Sequence, residues 1–129
     1  MRKLTMALAL AVVLVPLLAT AALAARQIIQ CTSTPCYGGQ GDDRILERIG
    51  NGRDDLIFPT GGEDRVLAGS YTKDTDVVRG GGGFDEIDVA DGDTLDTANG
   101  GRGRDLCIVD SKKEVGASCD ATIEVSPNP

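Results

Sequence analysis

The chain has no histidine and no tryptophan, and its 129 residues include only two phenylalanines, two tyrosines and two methionines. Without histidine there is no Ser-His-Asp or Cys-His catalysis and no His-ligated zinc or haem. Basic side chains are also few, 13 against 20 acids. Nucleic acids and anionic membrane surfaces are held through clustered Lys and Arg, so this balance argues against both as partners. Long apolar runs are missing everywhere except at the N-terminus.

There, Met1-Arg2-Lys3 is a short basic start, Leu4 to Leu18 is apolar apart from Thr5 and Pro16, and Ala22-Leu23-Ala24 offers a small-residue cleavage site. This is the pattern of a secretory signal peptide, with cleavage expected after Ala24 or Ala25. The run falls short of the roughly 20 residues of a membrane span. Removing residues 1–24 takes away two positive charges and no acid, leaving 105 residues with 11 basic and 20 acidic side chains, net −9. It also removes both methionines and 19 of the 53 apolar residues, so about a third of the mature chain is apolar. The supply for an ordinary core is thin. What remains is expected to be a small, secreted, extracellular domain without a membrane partner.

Export implies an oxidising compartment, so Cys31, Cys36, Cys107 and Cys119 are expected to be paired; the sequence allows three connectivities. Local pairing, Cys31 with Cys36 and Cys107 with Cys119, is the expected one. A four-cysteine zinc site is the weaker reading, because the eleven residues between Cys107 and Cys119 do not suit a zinc knuckle.

All 17 glycines follow Tyr37, and Asp outnumbers Glu by 15 to 5. Gly38-Gly39-Gln40-Gly41-Asp42-Asp43-Arg44-Ile45-Leu46, Gly80-Gly81-Gly82-Gly83-Phe84-Asp85-Glu86-Ile87-Asp88 and Gly100-Gly101-Arg102-Gly103-Arg104-Asp105-Leu106-Cys107-Ile108 share one form, G-G-x-G-x-D-x-U-x, with U large and apolar or, once, Cys. Degenerate copies lie between them: Gly50-Asn51-Gly52-Arg53-Asp54-Asp55-Leu56, Gly61-Gly62-Glu63-Asp64-Arg65-Val66, Asp74-Thr75-Asp76-Val77-Val78 and Thr94-Leu95-Asp96-Thr97-Ala98. In the last, Asp93 with Leu95 rivals Asp96 with Ala98. The motif Asp residues run 43, 54, 64, 76, 85, 96 and 105, and alternate members are 21, 22, 21, 20 and 20 residues apart. This two-step period suggests a coil of about 21 residues, with two short strands, two turns on opposite edges, and same-edge turns stacked about 4.8 Å apart. Ile45, Leu56, Val66, Val78 and Ile87 are the candidate core positions. Tyr37, Phe58, Tyr71 and Phe84 are scattered singly and read as packing at the ends of the roll.

Residues 38–109 resemble the hemolysin-type, or RTX, calcium-binding repeat, and the flanks resemble small secreted bacterial proteins that close such a roll with disulfides. The resemblance implies an all-β fold, a short right-handed parallel β-roll of about three and a half coils. Its divisions would be a signal peptide at 1–24, an N-terminal cap at 25–37 with Cys31 and Cys36, the roll at 38–109, and a C-terminal cap and tail at 110–129. It further implies carboxylate ligands at Asp43, Asp64, Asp85 and Asp105 on one edge and at Asp54, Asp76 and Asp96 on the other. Turn carbonyls would come from Gly39, Gln40, Gly41, Gly81, Gly82, Gly83, Gly101, Arg102 and Gly103. Lys73-Asp74-Thr75, Glu63 and Arg53 depart from the repeat, so the second edge is expected to hold few ions or none.

The chemistry stands beside the resemblance. Gly supplies the positive φ of a tight turn that aims several carbonyls at one point, and an Asp closing the turn adds a carboxylate. Two such turns surround a hard cation with about six oxygens, which suits Ca²⁺ better than Mg²⁺, whose octahedron is tighter. An EF-hand starting at Asp91 fails, because Asp96 stands where the loop needs Gly and Arg102 where it needs Glu. Asp-Gly clusters also occur in metal-free hairpin turns. The expectation is therefore a non-enzymatic secreted domain binding roughly two to five Ca²⁺ ions, its folding coupled to them because clustered Asp at this net charge repels itself. A calcium-scaffolded adhesion or glycan-binding module, with Tyr71 or Arg48 on an exposed strand face, is the first alternative, and a small polysaccharide-modifying enzyme the second. No protein or glycan partner can be named from the residues.

Overall fold

The computed structural model describes residues 26–48 and 52–125. The expected signal segment at 1–24, Ile49-Gly50-Asn51 of the second repeat and the tail at 126–129 lie outside the described residues. The fold is an all-β parallel solenoid of about four coils. Six strands form one sheet in the order β1 (Ile28–Gln30), β3 (Arg44–Leu46), β6 (Arg65–Leu67), β8 (Glu86–Asp88), β10 (Leu106–Val109) and β11 (Ala121–Glu124). The second sheet holds β2 (Cys36–Tyr37), β4 (Leu56–Phe58), β7 (Val77–Gly83) and β9 (Thr97–Gly103), with the short β5 (Thr60–Gly61) also on β7. Every strand pairing is parallel.

The register carries the expected period. Ile45 lies beside Val66, Val66 beside Ile87 and Ile87 beside Cys107, while Cys36, Ile57, Val78 and Ala98 stack in the same way across the core. These two files, each one residue per coil, face one another and are buried, with Ala68, Val89 and Val109 filling the space beside them. Such short strands cannot bury a face alone, and stacking makes the core continuous.

One frame differs from the sequence expectation. Asp55 and Ile57, not Asp54 and Leu56, are the buried pair of their coil; Asp54 is exposed and Leu56 half-buried. Arg53-Asp54-Asp55-Leu56-Ile57 satisfies D-x-U in either frame, and a one-residue slip sends every side chain to the opposite face. The register with Asp76 and Val78 selects the later frame. In the last degenerate copy Ala98 is buried and Leu95 is half exposed, so Asp96 with Ala98 is the frame adopted.

The ends also extend past the repeats. β1 and β2 already belong to the sheets, and β11 adds a strand beyond Val109. Asp110 is buried and accepts the backbone N–H groups of Asp91 and Gly92 at 2.7 and 2.8 Å. A single 3-10 turn, Lys112–Glu114, follows, closed by a capping box between Ser111 and Glu114. Disulfides join Cys31 to Cys36 and Cys107 to Cys119, one near each end, with Cα atoms 5.6 and 5.9 Å apart. The aromatics are less scattered than expected: because Tyr37 and Phe58 are register partners, their rings stack at 5.3 Å, with the Arg79 guanidinium 6.0 Å from the Phe58 centroid.

Candidate metal sites on the edges of the roll

The first edge carries a column of aspartates. Asp43 donates its backbone N–H to Asp64 Oδ1 at 2.7 Å, Asp64 to Asp85 Oδ1 at 3.0 Å, Asp85 to Asp105 Oδ1 at 3.0 Å, and Asp105 to Asp120 Oδ2 at 3.0 Å. One oxygen of each carboxylate thus ties its turn to the turn before. The other oxygen, Oδ2, of Asp64, Asp85 and Asp105 is buried and has no hydrogen-bond partner. Asp43 differs, since its two oxygens accept from Gln27 at 3.1 Å and Gly39 at 2.8 Å.

The space beside these oxygens exists because of glycine. A Cβ on Gly80 would stand 2.3 Å from Asp85 Oδ2, and one on Gly100 would stand 2.4 Å from Asp105 Oδ2. The turns themselves are stacked closely: a Cβ on Gly103, at φ 132°, would meet the Gly83 carbonyl oxygen at 1.7 Å. Only a residue without Cβ allows that approach.

The expected carbonyl donors lie in these same turns. Gly81, Gly82 and Gly83 are register partners of Gly101, Arg102 and Gly103. The Gly39 carbonyl accepts from Gly61 at 3.2 Å and also from the Thr60 hydroxyl, and the Gly82 carbonyl accepts from Gly62 at 3.1 Å. The Gly82 carbonyl, with one donor, keeps a second lone pair, whereas the two donors on the Gly39 carbonyl use both of its own. Gln40 and Gly41 belong to the first turn, where Gln40 packs its side-chain amide against Gly61 and the Gly41 carbonyl approaches Gly62.

An orphaned buried carboxylate oxygen is costly unless a cation or donor meets it. The cost appears in the acidity of the metal-free groups. Burial first, then the charges of neighbouring aspartates, push Asp64 and Asp85 up to about 6, against the lowering effect of the backbone N–H each accepts. Oxygen-only ligation by carboxylate and carbonyl groups fits a hard cation, and the donor set contains no imidazole or free thiol.

The second edge is richer in acid than its repeats suggested. Asp76 and Asp96 continue the ladder, accepting from Asp55 and Asp76 respectively, each at 2.7 Å. Asp54 lies outside this column and accepts from Thr75 at 2.9 Å. Asp55 is held by Arg48, through the backbone N–H at 2.8 Å and a guanidinium ion pair. Burial and a hydrogen bond with Glu47 push Asp76 up to about 8, and burial with the charges of Asp91 and Asp93 takes Asp96 to about 7. Carboxylate oxygens of Asp91, Asp93 and Asp96 lie within 4.8 Å of one another. Asp91, Asp93, Asp74, Asp55 and Asp120 were not among the sequence candidates. The dense run Asp88, Asp91, Asp93, Asp96 is their signal in the sequence, although it does not fit EF-hand spacing.

Beside this edge, Gln30, Glu47, Arg48 and Tyr71 help line a groove of about 190 Å³. Among the described residues, no helix is long and apolar enough to cross a membrane. Compared with protein-family models, with curated proteins and with solved structures, the chain shows no match in any of the three.

Proposed function

We propose that this chain is a secreted calcium-binding repeat domain of the hemolysin type, whose folding is coupled to Ca²⁺ held in the stacked Gly/Asp turns of the first edge. The observation that carries the reading is the Asp64–Asp85–Asp105 column, where every carboxylate spends one oxygen on the turn before and leaves the other buried without a partner. Asp64, Asp85 and Asp105 would supply the charged ligands, and the turn carbonyls of residues 81–83 and 101–103 the neutral ones. The ion would supply the positive charge that the buried column lacks. Binding to the native state alone then adds stability by mass action. Two disulfides agree with an oxidising, extracellular setting.

The test is to remove metal with a chelator at neutral pH, restore calcium, and count bound ions while following the strand signal. Roughly two to five ions per chain, with strand structure restored, would support the reading.

A second reading, the roll as a calcium-set scaffold for a glycan or protein partner, is favoured by the groove that brings Tyr71, Arg48 and Glu47 together. It requires the same calcium-dependent fold and adds a partner to it.

A further inference from the structure

We infer that the second edge holds its own cation site, made of side-chain carboxylates, at Asp91, Asp93 and Asp96, and that this site fastens the C-terminal cap to the roll. Its ligands share no residue with the glycine turns of the first edge. The carboxylates of these three residues converge within 4.8 Å. Local turn chemistry explains only part of that convergence: Asp91 Oδ1 accepts from Asp93 at 2.9 Å, Asp93 Oδ1 accepts from Leu95 at 2.7 Å, and Asp93 Oδ2 accepts from Lys73.

The remaining oxygens have no such account. Asp96 is 4% exposed, and its Oδ2 has no partner; Asp91 Oδ2 is likewise buried and unpartnered. Two further buried acids act on the trio from neighbouring coils. Asp74, 4% exposed with Oδ1 unpartnered, belongs to the preceding second-edge turn, and its charge acts on Asp91. Glu114, fully buried with Oε1 unpartnered, belongs to the cap, and its charge acts on Asp96. The ion pairs Arg48–Asp55 and Arg65–Glu86 include none of these five residues.

The converging trio thus leaves two oxygens buried without a partner, Asp91 Oδ2 and Asp96 Oδ2, and the levels before and after it each add one more, Asp74 Oδ1 and Glu114 Oε1. A single hard divalent cation satisfies that arrangement, and calcium suits it because it accepts many carboxylate oxygens in irregular geometry. Glu114 already holds the Asp110 and Ser111 backbone through Oε2 at 2.8 and 3.0 Å. An ion drawing on Glu114 Oε1 would link that cap to the Asp91 loop, alongside the Cys107–Cys119 disulfide.

Asn can replace Asp91 or Asp93 and keep the side-chain carbonyl that accepts the turn hydrogen bond, while losing the charge. Calcium is titrated calorimetrically into the metal-free full chain, into Asp91→Asn/Asp93→Asn and into Asp85→Asn, with folding checked by circular dichroism in saturating calcium. The loop variant should bind one ion fewer than the parent, its remaining ions keeping their midpoint within about twofold. Asp85→Asn should lose binding without removing the loop ion. An unchanged ion count in the loop variant overturns this inference and leaves the first-edge reading standing. An unchanged count in Asp85→Asn with a loss in the loop variant overturns the first-edge reading alone, and no binding by the parent overturns both. If the double variant does not fold, Asp91→Asn alone, which leaves Asp93 with Lys73 and Leu95, gives the same comparison.

Discussion

Asp64 donates its backbone N–H to Oδ1 of Asp85 at 3.0 Å, while Oδ2 of that same carboxylate is buried with no partner. The two oxygens have separate duties, and substitution separates them. Asp85→Asn keeps an acceptor for Asp64 and removes the charge. With calcium present, the midpoint for folding should rise tenfold or more. In a chelator, with folding promoted by an excluded osmolyte, the same substitution should leave stability unchanged or raise it, because a buried unpaired charge has gone. Glu124→Ala, on the exposed strand β11, should move the calcium midpoint little, within about 0.5 kcal/mol. Equal shifts in the two variants would mean that total charge alone is at work.

The pH dependence of the metal-free chain has a definite sign. Burial, the largest cause in each case, raises Asp64, Asp85 and Asp91 to about 6, Asp96 to about 7 and Asp76 to about 8. The folded state therefore binds protons that the unfolded chain, titrating near 3.8, has already released. Stability without metal should be highest below about pH 4 and fall as pH rises toward about 8. In excess calcium the slope should reverse, since protons compete with the ion for the same carboxylates. Urea unfolding at pH 5 and pH 8, with and without chelator and with the same excluded osmolyte throughout to keep the metal-free chain folded at zero urea, measures both slopes; a metal-free chain that gains stability from pH 5 to pH 8 would contradict this.

The frame of the second coil makes a packing prediction. Ile57 is fully buried and Leu56 half-buried on the outer face. Ile57→Ala should cost about 2 to 5 kcal/mol in saturating calcium, and Leu56→Ala distinctly less. Equal costs, read from denaturant midpoints, would restore the earlier frame.

Gly103 tests the stacking of the turns. At φ 132° and with the Gly83 carbonyl oxygen 1.7 Å from an added Cβ, Gly103→Ala should cost more than the roughly 1 to 3 kcal/mol of backbone strain alone, because two turns must part. A thermal midpoint unchanged by this substitution would show that the turns are not stacked as described.

The coil was legible in the residues because alternate motif aspartates keep a spacing of 20 to 22, and within the repeats the register, with Asp55 in place of Asp54, sets it at 20 or 21. What periodicity leaves open is phase. Asp54-Asp55-Leu56-Ile57 offers two equivalent frames, and only the neighbouring coil chooses between them. The strand at Ala121–Glu124 was hidden for a related reason: Asp120 follows Asp105 by 15 residues and has no glycine turn, and Thr122 stands where the motif has an apolar residue. The first-edge column was readable through its glycines. The second edge was readable only at Asp76 and Asp96, which continue the repeat; Asp91 and Asp93 come from a loop without one, and their convergence with Asp96 is set by the fold.

Titrating calcium into the metal-free chain at neutral pH, with circular dichroism and bound calcium recorded together, tests the central claim most directly. Strand structure should appear along a saturable curve as several ions bind, and should vanish again on chelation. A chain that binds no calcium at millimolar concentration, or that is equally folded with and without it, would contradict the claim that the buried aspartates are cation ligands.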